Sequence, residues 1–307
     1  MLIERLIAWI RERMERWTLY LVLLVGAIAL WLPAPGRALD RGDYVYITLA
    51  VLVFTAGLTV DLASFAAVRR GRWRMLAVLA ASSVLLPLLA WGLSQLVSGQ
   101  LRDAMLAVGV APSEVASLAL VGFGAGDVVT AAALVLASTL ITIAMAGPLL
   151  TLFAHASHLD TTGLAGTLVL VVAIPLLLGV GVGTRLAPTG ITRAIAAIVG
   201  NLALLMLIWE VASQVVPEAA YLIGTLLLIL FVIGCMLIGA ALSFGTSRSV
   251  RIGIVMPVAI RDFAIAAGIA TAAFGASTTG LLGIYGLLVL VFGTLAARIL
   301  SSRLSPG

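Results

Sequence analysis

Read for the order of apolar and polar positions, the chain is a series of long apolar runs separated by short clusters of Arg, Gly and Pro. The runs fall at about 18–33, 44–62, 73–97, 103–123, 127–153, 162–186, 192–216, 219–244, 250–273 and 277–300. A helix needs about 20 apolar residues to cross roughly 30 Å of hydrocarbon, so each run reads as a span. Ten-residue segments of strict alternation, the mark of a transmembrane β-barrel, are absent. The pattern predicts an all-α polytopic membrane protein with ten transmembrane helices. Composition points the same way, with 63% hydrophobic and 10% charged residues. A soluble domain carries about 25% charged residues to keep its surface wet.

The charge balance of +5 is made entirely with arginine, because the chain has no lysine. With the N-terminus in the cytoplasm, the inside segments hold Arg5, Arg11, Arg13, Arg16, Arg69, Arg70, Arg72, Arg74, Arg185, Arg193, Arg248, Arg251, Arg298 and Arg303. The outside loops hold only Arg37, Arg41 and Arg102. This asymmetry predicts an inner-membrane protein with both termini cytoplasmic, and explains the basic charge without nucleic acid. In residues 1–17, Leu2, Ile3, Leu6, Ile7, Ile10, Met14 and Trp17 recur at helical spacing against Arg and Glu, which predicts an amphipathic helix in the cytoplasmic interface. The remainder divides into spans 1–5 (18–153) and spans 6–10 (162–301). Five spans followed by five place the second half in the opposite orientation, as in the inverted repeats of many secondary transporters.

The polar chemistry concentrates in spans four and nine. Span four carries Ala-Pro-Ser-Glu-Val-Ala-Ser (111–117) and span nine Met-Pro-Val-Ala-Ile-Arg-Asp (256–262). A proline inside a helix removes a backbone donor and displaces the carbonyl four residues earlier. Pro112 and Pro257 are therefore expected to break their helices, and such breaks in lipid survive only where protein or a wet cavity satisfies the freed groups. Corresponding breaks in two halves point to a midplane binding site. Glu114, Arg261 and Asp262 lie beside them, and a charge at the bilayer centre costs about 2.5–3.5 kcal/mol on the insertion scale. Pairing either carboxylate with Arg261 would lower that cost, either as part of a binding site or as a structural lock between the spans.

Other polar groups carry less. Glu210 in span seven, six or seven residues before Pro217, faces either the cavity or the outer interface. Asp61 reads as a helix-end group, and His155 and His158 lack a third ligand for a metal. Gly124-Ala125-Gly126-Asp127 matches the string of intramembrane aspartyl proteases. The two carboxylates that chemistry requires are not in place, so Asp127 reads as the cap of span five. Cys235, the only cysteine, lies in an apolar run and excludes a disulfide framework. No catalytic constellation, cofactor motif or metal site remains, so an enzyme is not expected.

Several motifs together resemble the bile acid:sodium symporter family. Ala-Pro-Ser-Glu-Val-Ala-Ser, then Gly-Asp-Val-Val-Thr (126–130) and Ala-Ser-Thr-Leu (137–140), are similar to its Pro-Gly-Gly-x-x-Ser-Asn, Gly-Asp/Asn-Val-Ala and Ser-Thr-Leu stretches. Gly57-Leu58 with Asp61 and Phe65, Pro87-Leu88-Leu89-Ala90, and Ile174-Pro175-Leu176-Leu177-Leu178-Gly179 with Arg185 fit further family positions. The resemblance implies a panel domain of spans 1, 2, 6 and 7 and a core domain of spans 3–5 and 8–10, with spans four and nine unwound where they cross. It also implies a small organic anion as substrate, bound around Glu114, Val115, Ser117, Arg261 and Asp262.

The departures concern sodium, which prefers hard oxygen ligands. The family's Ser is kept as Ser117, but its Asn becomes Leu118. Its span-five hydroxyls fall on Ala131 and Val135, its span-nine Glu on Pro257, its Gln on Arg261, the following Asn on Asp262 and a span-three Gln on Ser82. Arg261 carries a permanent charge that could stand in for the missing cation. These changes argue for sodium-independent transport, with Glu114, Asp262 and Ser117 as coupling-ion candidates and a proton as an ion that Glu114 or Asp262 could couple. The competing readings are a proton-linked antiporter and a transport-inactive receptor or scaffold. For topology, a C-terminal green fluorescent protein fusion is expected to fluoresce and an alkaline phosphatase fusion at the same point to be inactive; the opposite pair of results would invert the orientation.

Overall fold

The structure, a computed structural model, describes residues 17, 20–40, 44–58, 72–154, 160–186, 190–215 and 219–302. The amphipathic segment before Trp17, Asp61, Phe65, His155, His158 and Pro217 lie outside the described residues. Every regular element described is helical. In chain order they are α1 (Tyr20–Trp31), α2 (Pro33–Asp40), α3 (Tyr44–Gly57), α4 (Arg72–Ser94), α5 (Gly99–Val110), α6 (Ser117–Phe123) and α7 (Val128–Ala154). There follow α8 (Thr161–Leu168), a π-helical turn (Val169–Ala173), α9 (Ile174–Leu186), α10 (Gly190–Ala212), α11 (Ala219–Leu242), α12 (Arg248–Ala259), α13 (Phe263–Phe274), a 3₁₀ turn (Ala276–Thr279) and α14 (Gly280–Ser302). The π turn precedes Pro175, whose missing N–H and ring disturb the normal ladder at that point.

Among the described residues, six stretches are long and apolar enough to cross a membrane: Trp73–Ser94, Val128–Ala154, Thr161–Arg185, Ala194–Ala212, Ala219–Leu242 and Ala276–Gly293. The expected spans four and nine are absent from this set because each is divided, into α5 and α6 and into α12 and α13. Neither offers an unbroken helix of membrane length. The outward faces are apolar: on α11, Leu222, Leu226, Leu230, Ile233 and Leu237 are exposed, while Gly224, Leu228, Phe231, Val232, Cys235 and Gly239 are buried. A helix apolar on both faces has lipid as its outer solvent. This is a multi-pass membrane protein.

The helices pack in two groups. α3 lies between α9 and α10, while α4, α5, α7, α11 and α12 pack against one another, and α13 and α14 touch members of both groups. The α3–α9 contact is a seam of small residues. A Cβ at Gly57 would lie 2.7 Å from the Leu176 carbonyl oxygen, and one at Gly183 would lie 2.8 Å from that of Leu58. Gly179 faces the Phe54 carbonyl even more closely. Glycine lets the two backbones meet, the usual means of helix association in lipid. Gly181, one residue off that face, has nothing within 4 Å of its Cβ position. Gly179→Ala is therefore expected to destabilise by about 1–3 kcal/mol through overpacking. Gly181→Ala should be neutral or slightly stabilising. Thermal unfolding in detergent micelles separates the two variants.

Candidate functional site

Both interruptions have a local cause. Pro112 restricts the residue before it, and Ala111 is extended (φ −61°, ψ 154°), so α5 stops at Val110. The chain stays non-helical until Ser117. In the second case the expected position of the break needs correcting. Pro257 sits inside α12, which continues to Ala259, and the break falls at Ile260–Asp262. Pro257 lacks only its own donor, and Ile260 N–H still closes onto the Met256 carbonyl at 3.1 Å. Termination comes from Asp262, whose Oδ1 accepts from Ile265 N at 2.9 Å and caps α13.

The two breaks meet as a short antiparallel bridge in which Ser113 stands opposite Arg261. Glu114 N donates to the Ile260 carbonyl at 2.9 Å, and Asp262 N donates to the Pro112 carbonyl at 2.8 Å. Neighbouring helices satisfy the other freed groups. Ser113 N donates to Ser138 Oγ of α7 at 3.0 Å, and Thr142 Oγ1 of α7 donates to the Val110 carbonyl at 3.1 Å. Arg261 N donates to Tyr285 Oη of α14 at 3.0 Å, and the Arg261 guanidinium donates to the Ala111 carbonyl.

In an extended segment successive side chains point to opposite sides. Ser113 and Arg261 therefore share one side of the bridge, and Glu114 and Asp262 share the other. That second side opens on a cavity of about 430 Å³ whose wall includes Glu114, Val115, Leu118 and Asp262. This volume lies in the range of small-molecule sites. From α3 the cavity takes Leu52, Val53, Thr55 and Ala56; from α10, Ala196, Ala197, Gly200, Asn201 and Leu204; from α7, residues between Val128 and Thr139. It thus lies on the seam between the two packing groups.

Two expectations for the site change here. Arg261 does not line the cavity, and among the described residues it forms no ion pair with Glu114 or Asp262. Adjacent residues on a helix could both serve one site; adjacent residues on an extended strand cannot. Ser117 is also outside the lining, fully buried, with its hydroxyl on the Glu114 carbonyl at 2.6 Å. Glu210 belongs to neither the cavity nor the outer interface: it is 1% exposed, in contact with Thr48 of α3. Asp127 caps α7, its Oδ1 accepting from Val129 N at 3.0 Å and Thr130 N at 3.2 Å. Residues not singled out beforehand are Ser138, Thr142 and Tyr285, which hold the breaks, and Thr55, Thr139 and Asn201, which line the cavity. Of these only Ser138 and Thr139 left a trace, in the Ala-Ser-Thr-Leu string.

Of the expected sodium positions, Pro257, Leu118, Ala131 and Val135 offer no side-chain oxygen, whereas Ser117, Ser82 and Asp262 do; the two serine hydroxyls donate to the Glu114 and Leu79 carbonyls.

Broken helices that meet inside a multi-pass bundle, beside a cavity between two helix groups, are an arrangement used by secondary transporters. The Sodium Bile acid symporter family matches residues 46–225, more than half of the chain, and the chain belongs to that family. Its members are transporters of organic anions or similar solutes rather than enzymes. The matched segment contains α5, α6 and Glu114 but ends before α12, Arg261 and Asp262. No curated protein matches the chain.

Tyr285→Phe removes the one acceptor that Arg261 N finds and should cost about 1–3 kcal/mol, the usual penalty for an orphaned buried donor. An unchanged melting temperature in detergent would contradict this role.

Proposed function

We propose that this protein carries a small amphipathic organic solute across the inner membrane by alternating access, independently of sodium, with Glu114 and Asp262 as the proton-coupling groups. The observation that carries the reading is the pair of carboxylates on the cavity side of the bridged helix breaks. The cavity's position between the α3–α9–α10 group and the α4–α5–α7–α11–α12 group supports movement of one against the other. These groups correspond to the panel and core that the family resemblance implies, with ten spans in two inverted sets of five. The lining comes from the later part of α3 and the earlier parts of α7 and α10, which lie toward the ends bearing Arg74, Arg185, Arg248 and Arg251. With that side cytoplasmic, as the arginine asymmetry argues, the cavity faces inward.

Charge supports the proton. With both carboxylates ionised, Glu114, Asp262 and Arg261 would leave one negative charge at the crossing, in a medium where unpaired charges are costly, which favours a proton on one of them. The guanidinium on the Ala111 carbonyl supplies a fixed cation at the break, which supports independence from sodium. An anionic solute would add a further negative charge, so it would enter only with a proton on a carboxylate. The absence of an ion pair between Arg261 and either carboxylate speaks against a purely structural lock.

In proteoliposomes, replacing sodium with choline should leave solute flux unchanged, and a strict sodium requirement would overturn the proposal. Glu114→Gln and Asp262→Asn together should abolish the response of flux to an imposed pH gradient. Retention of full proton coupling in that double variant would exclude both groups from the role.

A further inference from the structure

We propose that Asn201 of α10 binds the negatively charged head of the transported solute, so that the anion is held on the α3–α10 side of the cavity and away from the helix breaks. The inference rests on the carrier reading and adds to it a specificity-determining residue.

Asn201 is a polar residue inside an apolar span, Ala194–Ala212. An amide in such a span needs a partner from protein or ligand, because hydrocarbon offers none. It is partly buried and stands in the cavity wall, and among the described residues its side chain makes no hydrogen bond. The α10 positions that share the wall are Ala196, Ala197, Gly200 and Leu204, spaced as one helix face. Three of these are small, which leaves space around the amide for a ligand.

An anion needs donors, and the other polar side chains described in the wall have theirs committed or lack them. Thr55 Oγ1 donates to the Leu52 carbonyl at 2.8 Å and Thr139 Oγ1 to the Val135 carbonyl at 2.9 Å. Glu114 accepts from Ala116 N at 3.4 Å and Asp262 Oδ1 from Ile265 N at 2.9 Å, so the carboxylates themselves engage backbone donors beside the breaks. They offer a donor of their own only when protonated. Asn201 keeps two N–H groups at every stage of the cycle. Its place is fixed by the neighbouring helix: a Cβ on Gly200 would lie 2.8 Å from Thr55 Oγ1, so α3 and α10 meet beside the amide. An ionised Glu114 or Asp262 repels a like charge, which favours a head group seated on these two helices. Leu52 and Val53 of α3 and Leu204 of α10 give the apolar body of the solute a surface in the same wall.

Uptake by the full chain in proteoliposomes tests this, with benzenesulfonate and 2-naphthalenesulfonate as probes under an imposed proton gradient. Both are permanently charged, so neither crosses lipid as a free acid. Asn201→Leu keeps the volume and removes the donors; it should raise KM at least about tenfold, the scale of a lost hydrogen bond to a charged group, with the maximal rate and the response to the proton gradient retained. Asn201→Gln keeps the donors and should recover most of the affinity. Without solute, Asn201→Leu should melt in detergent no lower than the parent. An unchanged KM in Asn201→Leu, or a lowered melting temperature with no recovery in Asn201→Gln, would overturn the role of Asn201 and leave the carrier standing. Uptake of neither probe by the parent protein would overturn both.

Discussion

Two helices are interrupted inside the bundle, and each interruption meets its backbone needs largely through the other. Glu114 N reaches the Ile260 carbonyl and Asp262 N reaches the Pro112 carbonyl, so the breaks satisfy one another as a minimal antiparallel pair. A buried donor or acceptor left unpaired costs about 1–3 kcal/mol in water-soluble proteins, and hydrocarbon gives no alternative partner. The remaining groups are met by side chains of α7, α14 and the opposite break: Ser138, Thr142, Tyr285 and Arg261. The bridge is thus tied to two other elements, α7 and α14, at its backbone.

An extended bridge sorts its side chains by parity, and that sorting sets the chemistry. Ser113 and Arg261 fall on the packed side; Glu114 and Asp262 fall on the cavity side. Arg261 contributes its charge to the crossing without presenting it to a solute. Glu114 and Asp262 stand in the cavity wall and accept from backbone N–H groups beside the break. Which charged groups reach the cavity follows from backbone register more than from their identity.

Much of this was legible in the chain. The apolar runs and the lipid-facing surfaces agree because a span apolar on every side, such as α11, has no soluble alternative. Pro112 marked the first break because proline both lacks a donor and constrains its predecessor. Pro257 misled by three residues: a proline near the end of a helix can be accommodated, and the stop is written instead by Asp262 as the cap of α13. The orientation of Arg261 was not legible. Their place beside one expected break put 261 and 262 near one site, whereas the side each faces depends on an extended pairing with a partner about 150 residues away. Tyr285 was hidden for a related reason, since a tyrosine in an apolar span gives no sign of which distant amide it serves.

Cysteine accessibility tests the parity of the bridge most directly. In a Cys235→Ala background, Glu114→Cys and Asp262→Cys should react with a small water-soluble thiosulfonate reagent in membranes. Ser113→Cys should remain unreactive, being on the packed side between α5 and α7. Equal labelling at 113 and 114, or protection at both 114 and 262, would contradict the assignment of the two carboxylates to the cavity.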